Sequence, residues 1–174
     1  MSADSTAGKS NEFTSGLLAT VPALRAFAIS LTGRSDRADD LVQETILKAW
    51  AASASFQPGS NMKAWLFTIL RNHAMTQFKR RAREVEDVDG VIAGNVQSRA
   101  EQEGHMALNE MRQALASLPE DQREAVLLVG AAGFSYEEVA EMCGTVVGTI
   151  KSRVSRGRAT LAHLMYGDAR ARSE

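Results

Sequence analysis

The chain has 174 residues and a mass of 18.8 kDa, and its 20 lysines and arginines against 21 aspartates and glutamates give a formal net charge of −1. This balance excludes a uniformly basic nucleic-acid coat, and the single cysteine, Cys143, excludes an intramolecular disulfide and a cysteine-based zinc cluster. Apolar runs fall short of the roughly 18 residues that a membrane span needs, and no signal peptide is evident, so we expect a soluble, cytoplasmic, all-helical protein.

The first predicted helix lies between a proline and a glycine. Pro22 suits the first turn of a helix, and Gly33 suits the position just after its end. Four apolar residues at steps of three and four share one face of this helix: Leu24, Phe27, Ala28 and Leu31. Residues 1–10 are polar and rich in small side chains, so we expect them to be disordered.

Two further helices follow in the first half of the chain. Ser35 or Asp36 can cap the second helix, and the segment FQPGS at residues 56–60 ends it. Ser60 or Asn61 can cap the third helix. We expect its aromatic side chains, Trp65, Phe67 and Phe78, to be core; the alternative is that one of them, or the loop before the helix, holds an unstacked base beside the basic cluster. This helix ends in a basic cluster of Lys79, Arg80, Arg81 and Arg83.

Residues 84–103 separate the chain into two helical bodies. They contain six acidic residues against one base, Arg99, together with glycine, asparagine and serine, and they lack a sustained apolar repeat. Such a composition is typical of a flexible linker. Because basic residues lie on both sides of this acidic segment, we expect each body to carry a basic surface of its own.

The second body is predicted to contain four helices. Leu108, Met111, Leu115 and Leu118 share one face of the first, and Pro119 opens another that Gly133 closes. Ser135 and Glu138 have the spacing of a capping box at the start of a short helix, which Gly144 ends. A last helix spans about residues 146–165. A capped helix, a tight turn and a basic helix are the layout of a helix-turn-helix.

The last helix divides into an apolar seam and a basic face. At about 100° per residue the seam is formed by Val147, Ile150, Val154, Gly157, Leu161 and Leu164. Residues 145–165 contain Lys151, Arg153, Arg156 and Arg158 and no acidic residue, which favours an anionic partner over mutual support between charges. Small residues centre the opposite face, so the backbone could approach a groove. Cys143 is interpreted as a small buried apolar residue.

Three motifs resemble those of a known family. They are DDLVQETILKAW at residues 39–50, WLFTILRN at residues 65–72 and VGTIKSRVSRGR at residues 147–158. With them the chain resembles a bacterial extracytoplasmic-function (ECF, group IV) RNA polymerase sigma factor, closest to the general-stress-response subclass. The resemblance implies a disordered segment 1–10, a promoter-melting domain (sigma domain 2) at 11–83, a linker at 84–103, a −35-binding domain (sigma domain 4) at 104–167 and a tail at 168–174.

The resemblance also implies roles for individual residues. The polymerase-binding face would consist of Asp40, Gln43, Glu44 and Lys48, which would dock on the β′ clamp helices. The −10 element and a flipped base would be held by the loop at residues 56–61 and by Asn61, Lys63, Arg71 and Asn72. The −35 element would be read by Lys151, Ser152, Ser155 and Arg156, with Arg153 and Arg158 on phosphates. The family usually has alanine at the position of Gly157. This glycine either permits close helix packing or softens the helix.

The implied partners are core RNA polymerase, through the β′ clamp helices and the β flap, promoter DNA, and a small anti-sigma protein that a sigma-mimicking response regulator removes. No membrane, small-molecule substrate, cofactor or metal is expected, and no enzyme motif is found. Two alternatives are a sigma-like decoy that binds only an anti-sigma protein, and an ordinary helix-turn-helix regulator with an N-terminal sensor. The basic reading face argues against the decoy, and the motif at residues 39–50 suggests no sensor.

Overall fold

A computed structural model describes residues 3–86 and 104–171, which form seven α-helices and, within those ranges, no β-strand. The all-α expectation is confirmed. The helices are α1 (Ala3–Thr32), α2 (Ser35–Ala51), α3 (Met62–Glu86), α4 (Gly104–Ser117), α5 (Glu120–Val126), α6 (Tyr136–Cys143) and α7 (Val147–Ala171). A 3-10 turn spans Ser53–Ser55, and a π-helical turn, Leu127–Ala131, continues α5.

The described residues form two compact units. Helices α2 and α3 and most of α1 belong to the first unit, and α4 to α7 belong to the second. The predicted linker lies outside the described residues over positions 87–103, and its first three positions belong to α3, which ends at Glu86. The domain boundaries stay a prediction.

Helix α1 is longer than predicted. It begins at Ala3, so the expectation of a disordered segment 1–10 is wrong, and Pro22 lies inside the helix rather than in its first turn. Proline removes one hydrogen bond to the carbonyl four residues earlier, here that of Leu18. Both Leu18 and Pro22 lie on an exposed side of the helix, where water can satisfy that carbonyl. The predicted end of the helix is confirmed. The Gly33 amide donates to the Ile29 carbonyl, and Gly33 has a positive φ of 70°.

Part of α1, Asn11–Thr32, is long and apolar enough to cross a membrane by length and composition, with a mean hydropathy of 1.4. The expectation from the sequence concerns uninterrupted apolar runs, whereas this stretch meets the criterion with polar residues among its apolar ones. In the fold this stretch packs against other helices. The Phe27 ring lies 5.2 Å from that of Phe67 on α3, and Arg25 pairs with Asp39 on α2 at 2.6 Å. We interpret the stretch as a core helix of the first unit.

The core of the first unit comes from one face of each helix. Leu24, Phe27 and Ala28 of the predicted α1 face are buried, as are Leu41 of α2 and Leu66 and Leu70 of α3. Of the aromatic residues expected in the core, Phe67 is 1% exposed and confirms the expectation, whereas Trp65 and Phe78 are half-buried. Outside this core, Arg25 donates two hydrogen bonds to Asp39, which lower the pKa of that carboxyl.

In the second unit α7 packs against α4, α5 and α6. Ile150 and Val154 of α7 are buried together with Val139 of α6. The predicted apolar face of α4 is only half confirmed, because Leu115 and Leu118 are buried whereas Leu108 is 56% and Met111 36% exposed.

Candidate functional site

Helix α6 and the turn after it fix the direction of α7. The predicted capping box is confirmed: the Ser135 amide donates to Glu138 Oε2 at 2.8 Å, and the Glu138 amide donates to Ser135 Oγ at 3.1 Å. Gly144 ends α6 in the left-handed region, with φ 60° and ψ 40°. The Thr145 amide then bonds to the Ala140 carbonyl at 2.9 Å, which closes the turn of a helix-turn-helix.

The exposed face of α7 carries five of the six residues predicted to contact the −35 element. These five are Lys151, Ser152, Ser155, Arg156 and Arg158, all of which are exposed. Ile150, Val154 and Gly157 of the seam are buried, so the predicted helical phase is confirmed over these turns. The Ser152 hydroxyl donates to the Gly148 carbonyl at 3.0 Å, which leaves its oxygen as an acceptor.

Arg153 is separated from the other basic residues of α7. Its guanidinium Nε lies 3.0 Å from Asp121 Oδ2 on α5, and its side chain is 27% exposed. The structure therefore attaches this arginine to a neighbouring helix within the same unit. Sequence reasoning missed Asp121, because an acid in the first turn of a helix is accounted for by the helix dipole and gives no signal of a distant partner.

Cys143 is half-buried rather than fully buried. Its thiol lies 3.8 Å from Glu124 Oε2, and the Glu124 side chain is only 1% exposed. The interpretation as a small apolar residue is thus incomplete, since the thiol also serves as a weak donor to a buried carboxylate.

The residues predicted for the −10 element lie at the start and middle of α3. Asn61 Oδ1 accepts from the Ala64 amide at 3.1 Å, which makes Asn61 the N-cap of the helix. The Lys63 ammonium lies 5.8 Å from the centre of the Phe67 ring. Arg71 donates to Asn72 Oδ1 at 3.1 Å. The structure thus gives each of these residues a contact within the first unit.

An aromatic cluster lies beside the loop at residues 56–61. The Phe13 ring makes edge contacts with Trp50 at 6.2 Å, Phe56 at 5.7 Å and Trp65 at 6.1 Å, and Phe56 and Trp65 lie 5.1 Å apart. Phe13 lies upstream of the helix start that the sequence predicts, so the periodicity of the chain gives no signal of its place in this cluster.

The residues predicted to bind polymerase, Asp40, Gln43, Glu44 and Lys48, are all exposed on α2. Leu41, Val42, Thr45 and Ala49 of the same helix are buried, so the two sets occupy opposite sides. The Lys48 ammonium lies 2.7 Å from Nδ1 of His73 on α3. Burial, followed by the charge of Lys48, lowers the pKa of His73, so the neutral ring accepts this hydrogen bond.

A concave patch adjoins this face. It is lined by Arg37, Asp40, Gln77, Arg80 and Arg81. Two residues of the predicted basic cluster therefore line a surface depression with a third arginine from α2. Over the described residues, no group of three or more histidine, cysteine or acidic side chains could hold a metal ion.

Two family models match the chain, one in each unit. The model described as Sigma-70 region 2 matches residues 18–84, and that described as Sigma-70, region 4 matches residues 108–161. The second match contains the helix-turn-helix and the exposed face of α7.

Among curated proteins, the chain is 60% identical over 152 residues to the ECF RNA polymerase sigma factor EcfG of Rhodopseudomonas palustris, covering 87% of this chain and 84% of that one. Among solved structures, it is similar to the sigma factor RpoE in complex with the anti-sigma factor NepR from Bartonella quintana. That match has a TM-score of 0.81 and 54% identity, over 89% of this chain and 97% of the other. The anti-anti-sigma factor PhyR with NepR, also from Bartonella quintana, matches with a TM-score of 0.53, 17% identity and 83% and 46% coverage, a likeness of fold alone.

Proposed function

The chain belongs to the ECF RNA polymerase sigma factors, and we propose that it performs its promoter-specific role through three separate surfaces. As a member of this family it binds core RNA polymerase and directs transcription initiation at promoters. The three proposed surfaces are the exposed face of α7 for the −35 element, the loop at residues 56–61 with α3 for the −10 element, and the exposed face of α2 for polymerase.

The observation that carries the −35 assignment is the exposed, acid-free face of α7 behind a closed helix-turn-helix turn. Arg156 is exposed beside Ser152 and Ser155, whose small side chains allow the helix to enter a major groove. We assign base reading to Arg156, since a bidentate arginine–guanine contact discriminates by about 1–3 kcal/mol. Lys151 would read the −35 element together with Arg156, and Arg158 would hold a phosphate.

Arg153 differs from these residues because Asp121 already pairs with it at 3.0 Å. A phosphate could replace that carboxylate when DNA is bound, but the geometry gives Arg153 no base to read. We therefore assign it to positioning α7 on α5 and to a phosphate, and not to sequence discrimination.

We propose that promoter melting is driven by differential binding, without chemistry performed by this chain. A surface that favours the unpaired strand over the duplex shifts the equilibrium toward the open form. Flipping one base costs a few kcal/mol, which a pocket with stacking and polar contacts can offset. The loop at residues 56–61 and the polar pair Arg71 and Asn72 offer such contacts on the first unit.

The polymerase surface is assigned to α2, where Asp40, Gln43 and Glu44 are exposed opposite a buried apolar face. Exposed side chains of both signs on a rigid helix suit a docking surface whose partner is itself helical. Lys48 belongs to this face but is oriented by His73, so its ammonium has a defined position.

We further propose control by a small anti-sigma protein and a role in stress-response genes. The similar structure of RpoE also contains the anti-sigma factor NepR. Because RpoE is 54% identical to this chain, we propose an analogous partner for this chain. Because its partners would be polymerase and promoter DNA, we place its action in the cytoplasm.

The decoy alternative is not favoured. The likeness to the anti-anti-sigma factor PhyR is 17% in sequence, whereas the likeness to the sigma factor RpoE is 54%. The alternative of a regulator with an N-terminal sensor is not favoured either, because residues 18–84 match the Sigma-70 region 2 model.

Run-off transcription with core polymerase tests the assignment directly. The chain added to core enzyme should yield transcripts from templates that carry its cognate −35 and −10 elements, and templates with either element scrambled should lose them. Transcripts that depend on neither element would contradict promoter reading by this chain.

A further inference from the structure

The N-terminal half of α1 contacts the start of the loop that we assign to the −10 element. Phe56 is the first residue of that loop, and its ring lies 5.7 Å from the ring of Phe13 and 5.1 Å from that of Trp65. Phe13 also contacts Trp50 and Trp65, at 6.2 Å and 6.1 Å, so it joins the loop to α2 and α3. Edge-to-face ring contacts of this kind have a preferred geometry and so fix the position of Phe56.

The same part of α1 contacts the residue that follows the loop. A Cβ added at Gly16 would lie 2.7 Å from Met62 Sδ, so the glycine leaves room for the thioether of the first residue of α3. Gly16 lies one turn after Phe13 on the same helix. One turn of α1 therefore contacts both ends of the loop.

Between its ends the loop is exposed and is held by local contacts. The Ser60 amide and hydroxyl both donate to the Gln57 carbonyl, at 3.1 Å and 2.7 Å, and Gly59 has a φ of 87°. These bonds shape the loop internally but do not fix its place on the unit. That placement depends on the two ends.

We propose that Phe13 and Gly16 are positioning residues for −10 recognition, which they serve by fixing both ends of the loop at residues 56–61. This inference rests on the proposed −10 assignment of that loop and of α3. Neither residue needs to contact DNA, because displacement of the loop is enough to misplace the groups that hold an unpaired base.

The test uses the full chain with core polymerase and a library of templates that vary either in the −10 or in the −35 element. Phe13→Ala should flatten the ranking of −10 variants by roughly two- to tenfold, the range that corresponds to one lost aromatic pair. The ranking of −35 variants and the affinity for core should not change. Phe13→Tyr keeps the ring and should therefore keep the ranking of the unchanged chain. Leu18→Ala is the matched control, because Leu18 is an exposed residue of the same helix, and it should leave the ranking unchanged.

Gly16→Ala provides a second variant if Phe13→Ala fails to fold. Alanine favours the helix, and its methyl group would meet Met62 Sδ, the far end of a flexible side chain, so the unit should fold with only a small displacement at this end of the loop. It should flatten the same −10 ranking to a smaller extent.

The outcomes separate this inference from the −10 assignment itself. If Asn72→Ala flattens the −10 ranking but Phe13→Ala and Gly16→Ala lower output equally on every template, the positioning role is wrong and the two residues act on stability alone. If none of the three variants changes the ranking, the −10 assignment is wrong, and the positioning role is overturned with it.

Discussion

Alanine at Gly157 should destabilise the second unit, although alanine is the better helix former. Gly157 is buried on α7, and a Cβ built there would lie 2.7 Å from Val126 Cγ2 and 3.4 Å from the Gln122 carbonyl oxygen of α5. A contact of 2.7 Å forces one partner to move. Val126 is β-branched and therefore stiff about its first side-chain torsion.

The expected magnitude is the difference between two opposing effects. Replacing a mid-helix glycine by alanine stabilises by about 0.5–1 kcal/mol. Overpacking a well-packed contact costs about 1–3 kcal/mol. The net result should be a loss of about 1 kcal/mol in the free energy of unfolding. Softening of α7 by Gly157, the other interpretation of this departure from the family, predicts a gain instead.

Urea denaturation can assign this effect to the correct unit. The two tryptophans, Trp50 and Trp65, both lie in the first unit, so their fluorescence follows that unit whereas far-ultraviolet circular dichroism follows both. Gly157→Ala should lower the midpoint of the dichroism transition and leave the fluorescence transition in place. Gly148→Ala, where no atom lies within 4 Å of the added Cβ, should instead stabilise α7. An equal gain from both substitutions would refute the packing argument.

Three further predictions concern individual side chains. Arg156→Ala should flatten the preference among −35 variants. Arg153→Ala should instead lower output on all templates by a similar factor and reduce the salt slope of DNA binding by about one. Transcription from a template library measures the ranking and the output, and a ranking changed by Arg153→Ala alone would contradict the assignment. Glu44→Lys should weaken binding to core polymerase without changing circular dichroism, because Glu44 is exposed; unchanged affinity would show that the docking face lies elsewhere. His73 has a pKa below its ordinary value of 6.5, first because of burial, so the unfolded chain takes up its proton at higher pH than the folded chain does. Stability should therefore fall as pH drops below about 6.5, and His73→Gln should flatten that part of a pH series of unfolding curves.

The parts of the fold that depend on local chemistry could be predicted from the sequence. The capping box at Ser135, the turn at Gly144 and the buried side of α7 from Ile150 to Gly157 each follow from the spacing of a few residues and are confirmed, whereas Leu164 at the end of the predicted seam is 39% exposed. Local signals failed at Pro22, which was interpreted as a helix start. A proline on an exposed helix side is tolerated when water can replace the lost bond, and the sequence alone does not show which side is exposed.

The contacts that join helices were not accessible from spacing. Asp121 and Arg153 lie 3.0 Å apart in space but on separate helices, and either residue alone is accounted for by its own helix. Phe13 was likewise missed, because its role depends on three rings that the fold brings together from α2, the loop and α3. Sequence periodicity predicts which face of a helix is buried, but not which side chains meet across that face.

The charge arrangement on α7 bears on why such a subunit works only on polymerase. Among the basic side chains of residues 147–165, Arg153 already pairs with Asp121, and Lys151, Arg156 and Arg158 lie on the exposed face. Even a phosphate contact from each of these four side chains would give a salt slope of only about −4, whereas strong DNA binders typically make 6–10 such contacts. A chain with a net charge of −1 adds no general attraction to DNA. The proposed docking of α2 on polymerase would compensate for this weak attraction, because it would raise the effective concentration of the proposed −35 face at the promoter without any further contact to DNA.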